Sequence, residues 1–231
     1  MIKYIRGVSL IDYPGRIATL VFIGGCNFRC PFCHNADLVL PERLRTVPDI
    51  PYEEALNKIK KHRGFVDGVV FTGGEPTLWK DLKNFARDLK EIGLLLKLDT
   101  NGYNPSFLEE SLKENLFDYV AMDIKSSPQK YAEAVGLPTV DMGKIRASIE
   151  LVKQFPDYEF RTTFVHGLTD REDWEGMAKL IRGAKLYALQ PFFPRNTLSP
   201  DYLNKPATPK AFLLEAAEFF KNYVERVEVR A

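Results

Sequence analysis

All cysteines of the chain lie within one short segment, GGCNFRCPFCHN (24–35), at positions Cys26, Cys30 and Cys33. This Cys-x3-Cys-x2-Cys spacing allows a single loop to arrange three thiolates around a compact inorganic centre. Gly24 and Gly25 come just before the loop and permit the backbone turns that such an arrangement requires. The spacing therefore predicts that the three cysteines act together.

Three kinds of sulfur site are compatible with this spacing. A structural zinc ion takes four protein ligands, and His34, the nearest further candidate, is adjacent to Cys33, which makes simultaneous ligation awkward. A redox dithiol would need only Cys30 and Cys33 and would leave Cys26 without a role. A four-iron cluster ordinarily takes four cysteines, so three cysteines leave one iron open to a non-protein ligand. The iron–sulfur interpretation is favoured, and it predicts chemistry at the open iron.

Other polar groups follow apolar segments that are predicted strands. Glu75 in TGGEP (72–76) can accept a hydrogen bond from an ammonium group, and the two preceding glycines allow a ligand to approach the backbone closely. Asp99 in LDTNG, and Asp123 and Lys125 in MDIK, end two very apolar strands. Each of these segments is also consistent with an ordinary turn or a solvated strand end, so position must decide between the two interpretations.

These groups are positioned by a regular alternation of strands and helices. The continuous hydrophobicity of seven β-rich segments indicates strands buried on both faces, as in parallel sheets: 17–23, 67–72, 94–99, 117–124, 158–165, 185–190 and 226–230. Between the strands, helices are predicted around 105–115 and 142–154. Apolar residues at i, i+3, i+4 and i+7 predict helices over 52–59, 82–89 and 174–181, and a helix is also predicted over 209–224. A capping box of Thr169 with Glu172 and an N-cap at Thr208 are predicted for the last two.

Repeated strand–helix units give either an open doubly wound sheet or a (β/α) barrel, whole or partial, because their crossovers are right-handed. Every chemically suggestive element falls just after a predicted strand. The carboxyl ends of parallel strands open on the same side, so residues scattered from 26 to 190 converge in space. We therefore expect an α/β fold, a partial TIM-like (β/α) barrel of about six parallel strands with the site at its C-terminal mouth, in a single domain spanning 1–231.

The cysteine motif, with the aromatic Phe32 before its last cysteine, resembles that of the radical S-adenosylmethionine (radical SAM) enzymes. The resemblance implies that Cys26, Cys30 and Cys33 are the catalytic and metal-binding residues, which hold a 4Fe–4S cluster whose fourth iron takes the amino and carboxylate groups of S-adenosylmethionine. It further implies a set of cofactor-binding residues: Phe32, Gly73, Gly74, Glu75, Asp99, Asp123, Lys125, His166 and Gln190.

The resemblance also suggests separate roles for these groups. The GGEP element would hydrogen-bond the methionyl amino group, Lys125 would pair with the methionyl carboxylate, and Asp99 and Asp123 would contact the aminoacyl part or a nearby cation. Gln190 could meet the adenine through its backbone or amide. His166 could equally be a plain loop histidine, since most histidines have no catalytic task.

Within the superfamily, SLIDYPGRIATLVFIGGCNFRCPFCHN, TGGEPTL, LDTNG and AMDIK most resemble the activating proteins of anaerobic ribonucleoside-triphosphate reductase, which are related to the pyruvate formate-lyase activating enzymes. This resemblance implies an oxidoreductase. A low-potential donor such as flavodoxin or ferredoxin would reduce the cluster, S-adenosylmethionine would be cleaved to a 5′-deoxyadenosyl radical, and a glycyl radical would form on the reductase. Alternatives are another glycyl-radical enzyme as partner, a small molecule or nucleobase as substrate, and a non-catalytic zinc-binding module.

Composition limits the remaining possibilities. Thirty-two Lys and Arg residues balance 31 Asp and Glu residues, so no basic field indicates nucleic acid as a partner. The longest apolar runs are too short to span a bilayer, and the first residues do not read as a secretory signal. We therefore expect a cytoplasmic protein without a membrane partner, in a reducing compartment where clustered cysteines favour metal or redox chemistry.

Overall fold

An open sheet of eight strands, in chain order from β1 to β8, forms the fold in this computed structural model, which describes residues 1–230. The strands are β1 (Ile2–Ser9), β2 (Ala18–Ile23), β3 (Gly68–Gly73), β4 (Leu95–Thr100), β5 (Tyr119–Asp123), β6 (Asp157–Phe164), β7 (Tyr187–Pro191) and β8 (Val227–Val229). β1 is antiparallel to β2, and every later neighbour pair is parallel. The expected α/β partial barrel is confirmed.

The connections between strands carry the helices. These are α1 (Ala36–Val39), α2 (Pro41–Leu44), α3 (Tyr52–His62), α4 (Leu82–Glu91), α5 (Pro105–Lys113), α6 (Tyr131–Ala134), α7 (Met142–Val152), α8 (Arg171–Leu180) and α9 (Lys210–Phe220). Two 3₁₀ segments, Pro76–Leu78 and Pro200–Asn204, complete the regular structure. Over residues 1–230, no helix combines the length and the apolar character that a membrane span requires.

The sheet differs from the expectation in its strand count. Seven parallel strands are present rather than about six, and the antiparallel strand β1 was not predicted. One face of β1 is exposed at Tyr4, Arg6 and Val8, while the buried positions include a lysine, so the strand lacks the continuous hydrophobicity of its neighbours. The cost of burying the Lys3 charge is offset because its ammonium group donates to the carbonyls of Leu44 and Val47, at 3.1 and 2.7 Å.

Both predicted helix caps are wrong in detail. The capping box of α8 is formed by Asp170 and Asp173, not by Thr169 and Glu172, since Thr169 is fully buried and donates to the Val165 carbonyl at 3.2 Å. The hydroxyl of Thr208 donates to the carbonyl at the end of β6 and accepts from the amide of Phe192. It therefore ties two strand ends together, and α9 begins two residues later.

The two faces of the sheet are packed differently. The helices cover the outer face with a large apolar core that joins residues from β1 to α9. The inner face carries a separate small apolar cluster, composed of Tyr13, Ala18, Leu20, Val70, Tyr119 and Ala121. The same face also carries the buried charged side chains of Lys97 and Glu159, which therefore need partners within the fold.

One buried ion pair on the inner face joins β6 to the end of the chain. The Glu159 carboxylate, 0% exposed, accepts from both terminal nitrogens of Arg230 at 2.8 and 2.5 Å, and from the Tyr119 hydroxyl at 2.9 Å. Burial alone would raise the pKa of Glu159, but the Arg230 hydrogen bonds and the positive charges of Arg161 and Lys97 lower it overall. The ionised carboxylate therefore stabilises the fold at neutral pH.

We expect Glu159→Gln to lower the free energy of unfolding of the metal-free protein by about 2 kcal/mol at pH 7, because a charged hydrogen-bond acceptor of a partly buried arginine is lost. A depressed pKa stabilises the fold above the unfolded-state pKa and stops doing so as pH falls through the folded-state value. The difference between wild type and variant should therefore shrink on acidification. Urea denaturation at a series of pH values measures it, and a difference that grows in acid would contradict the assignment.

Candidate active site

A pocket of about 280 Å³ opens at the carboxyl ends of the parallel strands. Its lining comes from the carboxyl ends of six consecutive strands, β2 to β7, as expected for residues that follow parallel strands. The lining includes ten of the residues predicted from sequence: Cys26, Cys30, Phe32, Cys33, Gly73, Gly74, Asp99, Asp123, Lys125 and Gln190. Glu75 and His166 do not line it. The pocket also contains residues that sequence reasoning did not assign: Phe28, His34, Asn35, Val39, Thr72, Thr100, Asn101, Arg161 and Thr163.

Backbone hydrogen bonds hold the cysteine loop on several sides. Gly25 donates to Leu38 and accepts from the amide of Glu75, both at 2.8 Å, so the loop is tied to the turn after β3. Arg29 donates from its amide to Val135 at 2.8 Å and from its guanidinium to the Cys26 carbonyl at 2.7 Å. The three sulfurs are thus presented by a segment that the surrounding loops keep in place.

Cys30 is buried, and Cys26 and Cys33 are half-buried at the edge of the pocket. Burial raises the pKa of Cys26 to about 11 and that of Cys30 to about 12, and it also raises the pKa of Cys33. The positive charge of Lys125 acts in the opposite direction on all three. Thiols of this kind are neutral at pH 7, so loading a metal centre must displace their protons, with Lys125 as a nearby counter-charge.

The donor set fits an iron–sulfur cluster better than a single zinc ion. Three soft thiol ligands converge on one pocket beside a lysine, and thiolates are the ligands that hold such clusters. In residues 1–230, no three His, Cys, Asp or Glu side chains are grouped closely enough to ligate one metal ion. A cluster places each thiolate on a different iron, so its ligands do not have to meet at one point.

Two glycines, Gly73 at the end of β3 and Gly74 just after it, bring the turn against the cysteine loop. Gly73 has φ of 113°, a conformation that favours glycine. A Cβ on Gly74 would lie 2.1 Å from the carbonyl oxygen of Gly25. Both glycines line the pocket, and both are also required by the close approach of two backbones. Their packing role is therefore established by geometry, and their contact with a cofactor stays a prediction.

Glu75 has a different place from the one predicted. Its carboxylate is 0% exposed and already accepts four hydrogen bonds. One oxygen accepts from the amide and hydroxyl of Thr77 and from the hydroxyl of Thr100, at 3.2, 2.6 and 2.8 Å, while the other accepts from the amide of Asn101 at 2.7 Å. With both oxygens occupied and no exposed surface, this carboxylate is not part of the pocket lining.

Glu75 instead braces the ends of β3 and β4 beneath the pocket. Asn101, held through its amide by Glu75, donates from its side chain to the Asn27 side chain at 2.7 Å. Asn27 is next to Cys26, whose sulfur accepts from the Phe28 amide at 3.4 Å. The carboxylate therefore acts on the cysteine loop through one intermediate residue.

We expect Glu75→Gln to lower the free energy of unfolding by about 2 kcal/mol and to reduce retained iron. The NH2 of the glutamine is itself a donor, so it would face at least one of the four N–H and O–H groups that donate to the carboxylate. Burial raises the pKa of Glu75, and its four hydrogen bonds oppose that rise. Thermal melts of the metal-free protein and iron analysis after reconstitution measure both effects. Glu53→Gln, on the exposed start of α3, is the control and should change neither. Wild-type iron content in Glu75→Gln would contradict the bracing role.

Five charged side chains alternate in sign along the pocket floor. The Lys97 ammonium pairs with Asp99 at 2.5 Å, the Arg161 guanidinium bridges Asp99 and Asp123 at 3.2 and 2.9 Å, and the Lys125 ammonium pairs with Asp123 at 2.9 Å. Burial would raise the pKa of Asp123, but Arg161 and Lys125 lower it to about 2. Both aspartates are thus ionised and paired by residues of the chain.

The remaining predicted residues differ in position. Phe32 is buried, and its ring centroid lies 6.5 Å from that of Tyr202. Gln190 lines the pocket at the end of β7. The His166 side chain is 74% exposed, faces Asp170 at 3.1 Å, and borders a separate apolar pocket beside Phe164 and Phe212. The structure therefore does not bring His166 to the cysteines.

Comparisons with known proteins agree with this geometry. A profile described as the Radical SAM superfamily matches residues 20–181. A protein of Methanocaldococcus jannaschii named as a glycyl-radical enzyme activating enzyme is 37% identical over 100% of this chain and 95% of its own length. The pyruvate formate-lyase-activating enzyme of Clostridium pasteurianum is 36% identical over 54% of this chain and 52% of its own.

Among solved structures, Streptococcus suis SuiB bound to its precursor peptide SuiA has a similar fold, with a TM-score of 0.69 at 14% identity. The match covers 92% of this chain and 48% of SuiB. At this identity the likeness concerns the fold alone.

Proposed function

The chain belongs to the radical SAM superfamily and, within it, to the glycyl-radical enzyme activating enzymes, and from this premise we propose that it generates a glycyl radical on anaerobic ribonucleoside-triphosphate reductase. The family uses a 4Fe–4S cluster and S-adenosylmethionine, and the chain is an enzyme that acts through radical chemistry. The observation that carries the proposal is the 37% identity to an activating enzyme over the whole of this chain.

The residues of the pocket fit these cofactors. When bound, the cluster and S-adenosylmethionine supply the one-electron chemistry that produces an organic radical. Cys26, Cys30 and Cys33 would hold the cluster, and Lys125 has the charge and position to pair with the methionyl carboxylate. Glu75 contributes by keeping the β3 and β4 turns together, and it is not proposed as a direct ligand.

The protein must also keep water and other hydrogen donors away from the reacting atoms. Val39 and Phe32 present apolar side chains to the pocket, and the backbone of the 191–204 segment covers the cysteine loop, with the Ser199 amide donating to the Pro31 carbonyl at 2.9 Å. The His34 ring stacks on Phe192 and contacts the Phe193 carbonyl at 3.0 Å, which fixes the same segment. We also propose a low-potential donor, such as flavodoxin or ferredoxin, as the source of the electron.

The test is electron paramagnetic resonance of the partner. Anaerobically reconstituted protein, a low-potential reductant, S-adenosylmethionine and the reductase of the same organism should give a glycyl-radical doublet. A reductase variant with its radical glycine replaced by alanine should give none. A silent spectrum with the wild-type reductase, while 5′-deoxyadenosine is released, would refute the assigned partner.

The same reaction mixture distinguishes the alternatives. A doublet on a different glycyl-radical enzyme would reassign the partner within the family. Release of 5′-deoxyadenosine that depends on a metabolite or nucleobase, and not on any protein partner, would instead assign a small-molecule substrate. Colourless protein containing one zinc ion and no iron would favour a binding module.

A further inference from the structure

A second pocket lies beside the active site, between the loop that follows β6 and the start of α9. Its volume is about 280 Å³, and most of its wall is apolar: Phe164, Pro206, Ala207, Pro209 and Phe212. Phe164 is fully buried, whereas Pro206, Ala207 and Pro209 are exposed, so the pocket reaches the core and opens to solvent. Binding pockets typically combine such apolar walls with a few polar groups that fix the orientation of the ligand.

Most polar side chains of this pocket are already paired within the chain. The Thr208 hydroxyl donates to one backbone carbonyl and accepts from one backbone amide. The Asp170 carboxylate accepts from the Gly167 amide at 2.8 Å and faces Nδ1 of His166 at 3.1 Å. The hydroxyl and the carboxylate are therefore engaged in holding the walls of the pocket together.

His166 is the exception, because only one of its ring nitrogens has a partner among residues 1–230. A carboxylate can only accept, so the Nδ1 that faces Asp170 carries the hydrogen, and in the neutral ring Nε2 is then a hydrogen-bond acceptor. The nearby Lys205 ammonium donates to the His166 carbonyl at 3.0 Å and not to the ring. The pocket therefore has apolar walls and one free side-chain acceptor at its exposed edge.

This combination selects an aromatic ring that carries an O–H or N–H donor. The apolar walls favour the ring, and the donor satisfies Nε2 of His166, as the side chains of tyrosine and tryptophan can do. A carboxylate or phosphate would find no ammonium or guanidinium group in the wall of the pocket. A purely apolar ring would fill the pocket but would leave the acceptor to water.

The second pocket is connected to the active site through Phe192. The Thr208 hydroxyl accepts from the Phe192 amide at 3.0 Å, and the Phe192 ring stacks on His34, with ring centroids 5.9 Å apart. His34 lines the active-site pocket. Phe164 ends β6, so both pockets lie at the carboxyl edge of the sheet, and one protein surface can contact both.

We propose that the second pocket binds an aromatic side chain with a ring-borne donor, tyrosine or tryptophan, from the protein partner, and so fixes the partner next to the active-site pocket. The inference rests on the proposed function, because it requires the substrate to be a protein. Side chains that fill such pockets typically carry most of the binding energy of an interface, and tyrosine and tryptophan are enriched among them. His166, which the resemblance placed at the cofactor, is thus assigned to the partner.

The first test uses p-cresol and toluene, which correspond to the side chains of tyrosine and phenylalanine. NMR titration of the reconstituted protein should place both probes in the second pocket, through shifts of the Ala207 and Phe212 amide signals. His166→Phe should lower the p-cresol affinity about fivefold and change the toluene affinity by less than about twofold, because only p-cresol donates to the imidazole. Ala207→Trp, at an exposed position, should fill the pocket and remove the binding of both probes.

The second test measures binding of the reductase to the reconstituted protein, without turnover, by isothermal titration calorimetry. Ala207→Trp should weaken this binding about tenfold or more, and His166→Phe about threefold or more, as expected for the loss of a central contact. Ala147→Trp is the matched control, because it adds the same ring at an exposed position of α7, outside the pocket, and should bind like the wild type. His166→Phe changes a side chain that is 74% exposed, so it keeps the test decisive if Ala207→Trp folds poorly.

Three results would overturn the proposal. These are the absence of probe binding at this pocket, an equal effect of His166→Phe on p-cresol and toluene, and a reductase affinity of Ala207→Trp equal to that of Ala147→Trp. A failure of the proposed function would look different. The wild type and all three variants would then fail to bind the reductase, while the probes would still bind the second pocket of the wild type.

Discussion

Replacing Cys30 with alanine is expected to remove the iron–sulfur cluster and with it all measurable cleavage of S-adenosylmethionine. Cys30 is the most buried of the three cysteines and has no other cysteine in the chain to replace it. Mutations of outer-shell residues typically cost metal sites about 10- to 100-fold, so the loss of a ligand should exceed about 100-fold in activity. The resemblance to radical SAM enzymes and the three thiols in one pocket both require this result.

Iron analysis, visible absorption and 5′-deoxyadenosine release measure the effect after anaerobic reconstitution. Val39→Ala is the matched control for iron content, because it removes apolar volume from the wall of the same pocket and leaves every thiol in place. Each substitution should cost roughly 1 kcal/mol of folding stability through the small cavity it creates, so misfolding would affect both alike. Normal iron content and activity in Cys30→Ala would contradict the cluster assignment. Loss of iron in both variants would show that the loss comes from disturbed packing of the pocket and not from the missing thiol.

The position of the site could be predicted from the sequence, because the chemically suggestive residues follow predicted strands. The predicted site residues stand at strand ends, and parallel strands bring their carboxyl ends to one edge of the sheet. They are the cysteines after β2, the glycines at the end of β3, Asp99 on β4, Asp123 on β5 and Gln190 on β7. The strands from β2 to β7 are predicted because most of their residues are buried and apolar, whereas β8 is only half-buried at Val227 and Val229. β1 lacks that signal, since one of its faces is exposed along the open edge of the sheet.

The partners of the charged groups could not be predicted in the same way. Arg161 and Lys97 interrupt apolar strands, and a charge inside such a strand was a signal that polar groups meet on the inner face. Which carboxylate each one contacts depends on the register of β4, β5 and β6. Register across a parallel sheet is a long-range property, so local patterns do not contain it.

Glu75 illustrates a second limit of sequence reasoning. An acidic residue after two glycines suggests a ligand contact, but its oxygens are consumed by Thr77, Thr100 and Asn101 from two neighbouring turns. Which of these partners Glu75 takes is decided only by the folded arrangement. The same holds for the capping box of α8, where Asp170 and Asp173 prevail over Thr169 because the threonine is drawn into the core.

Gly74→Ala is the second substitution with a large expected effect, because it would separate the cysteine loop from the turn after β3. A Cβ there would lie 2.1 Å from the carbonyl oxygen and 2.8 Å from the carbonyl carbon of Gly25, and 3.2 Å from the carbonyl oxygen of Leu38. All three atoms are backbone atoms, so no side chain can rotate to relieve the clash. The amides of Gly74 and Glu75, which donate to Ile23 and Gly25 at 2.8 Å, would be displaced with them.

We expect Gly74→Ala to lower the free energy of unfolding of the metal-free protein by about 3 kcal/mol or more, since overpacking against fixed backbone cannot relax cheaply. Retained iron should fall as well, because Gly25 is adjacent to Cys26. Gly143→Ala in the first turn of α7 is the matched control. Its Cβ meets only the Asp141 side chain, at 2.9 Å, and alanine is the better helix former, so stability should change by less than about 1 kcal/mol. Urea denaturation measures the free energy of unfolding of both variants, and iron analysis measures the iron that each retains. If Gly74→Ala were as stable and as iron-rich as Gly143→Ala, the two loops would not be in the contact that builds this site.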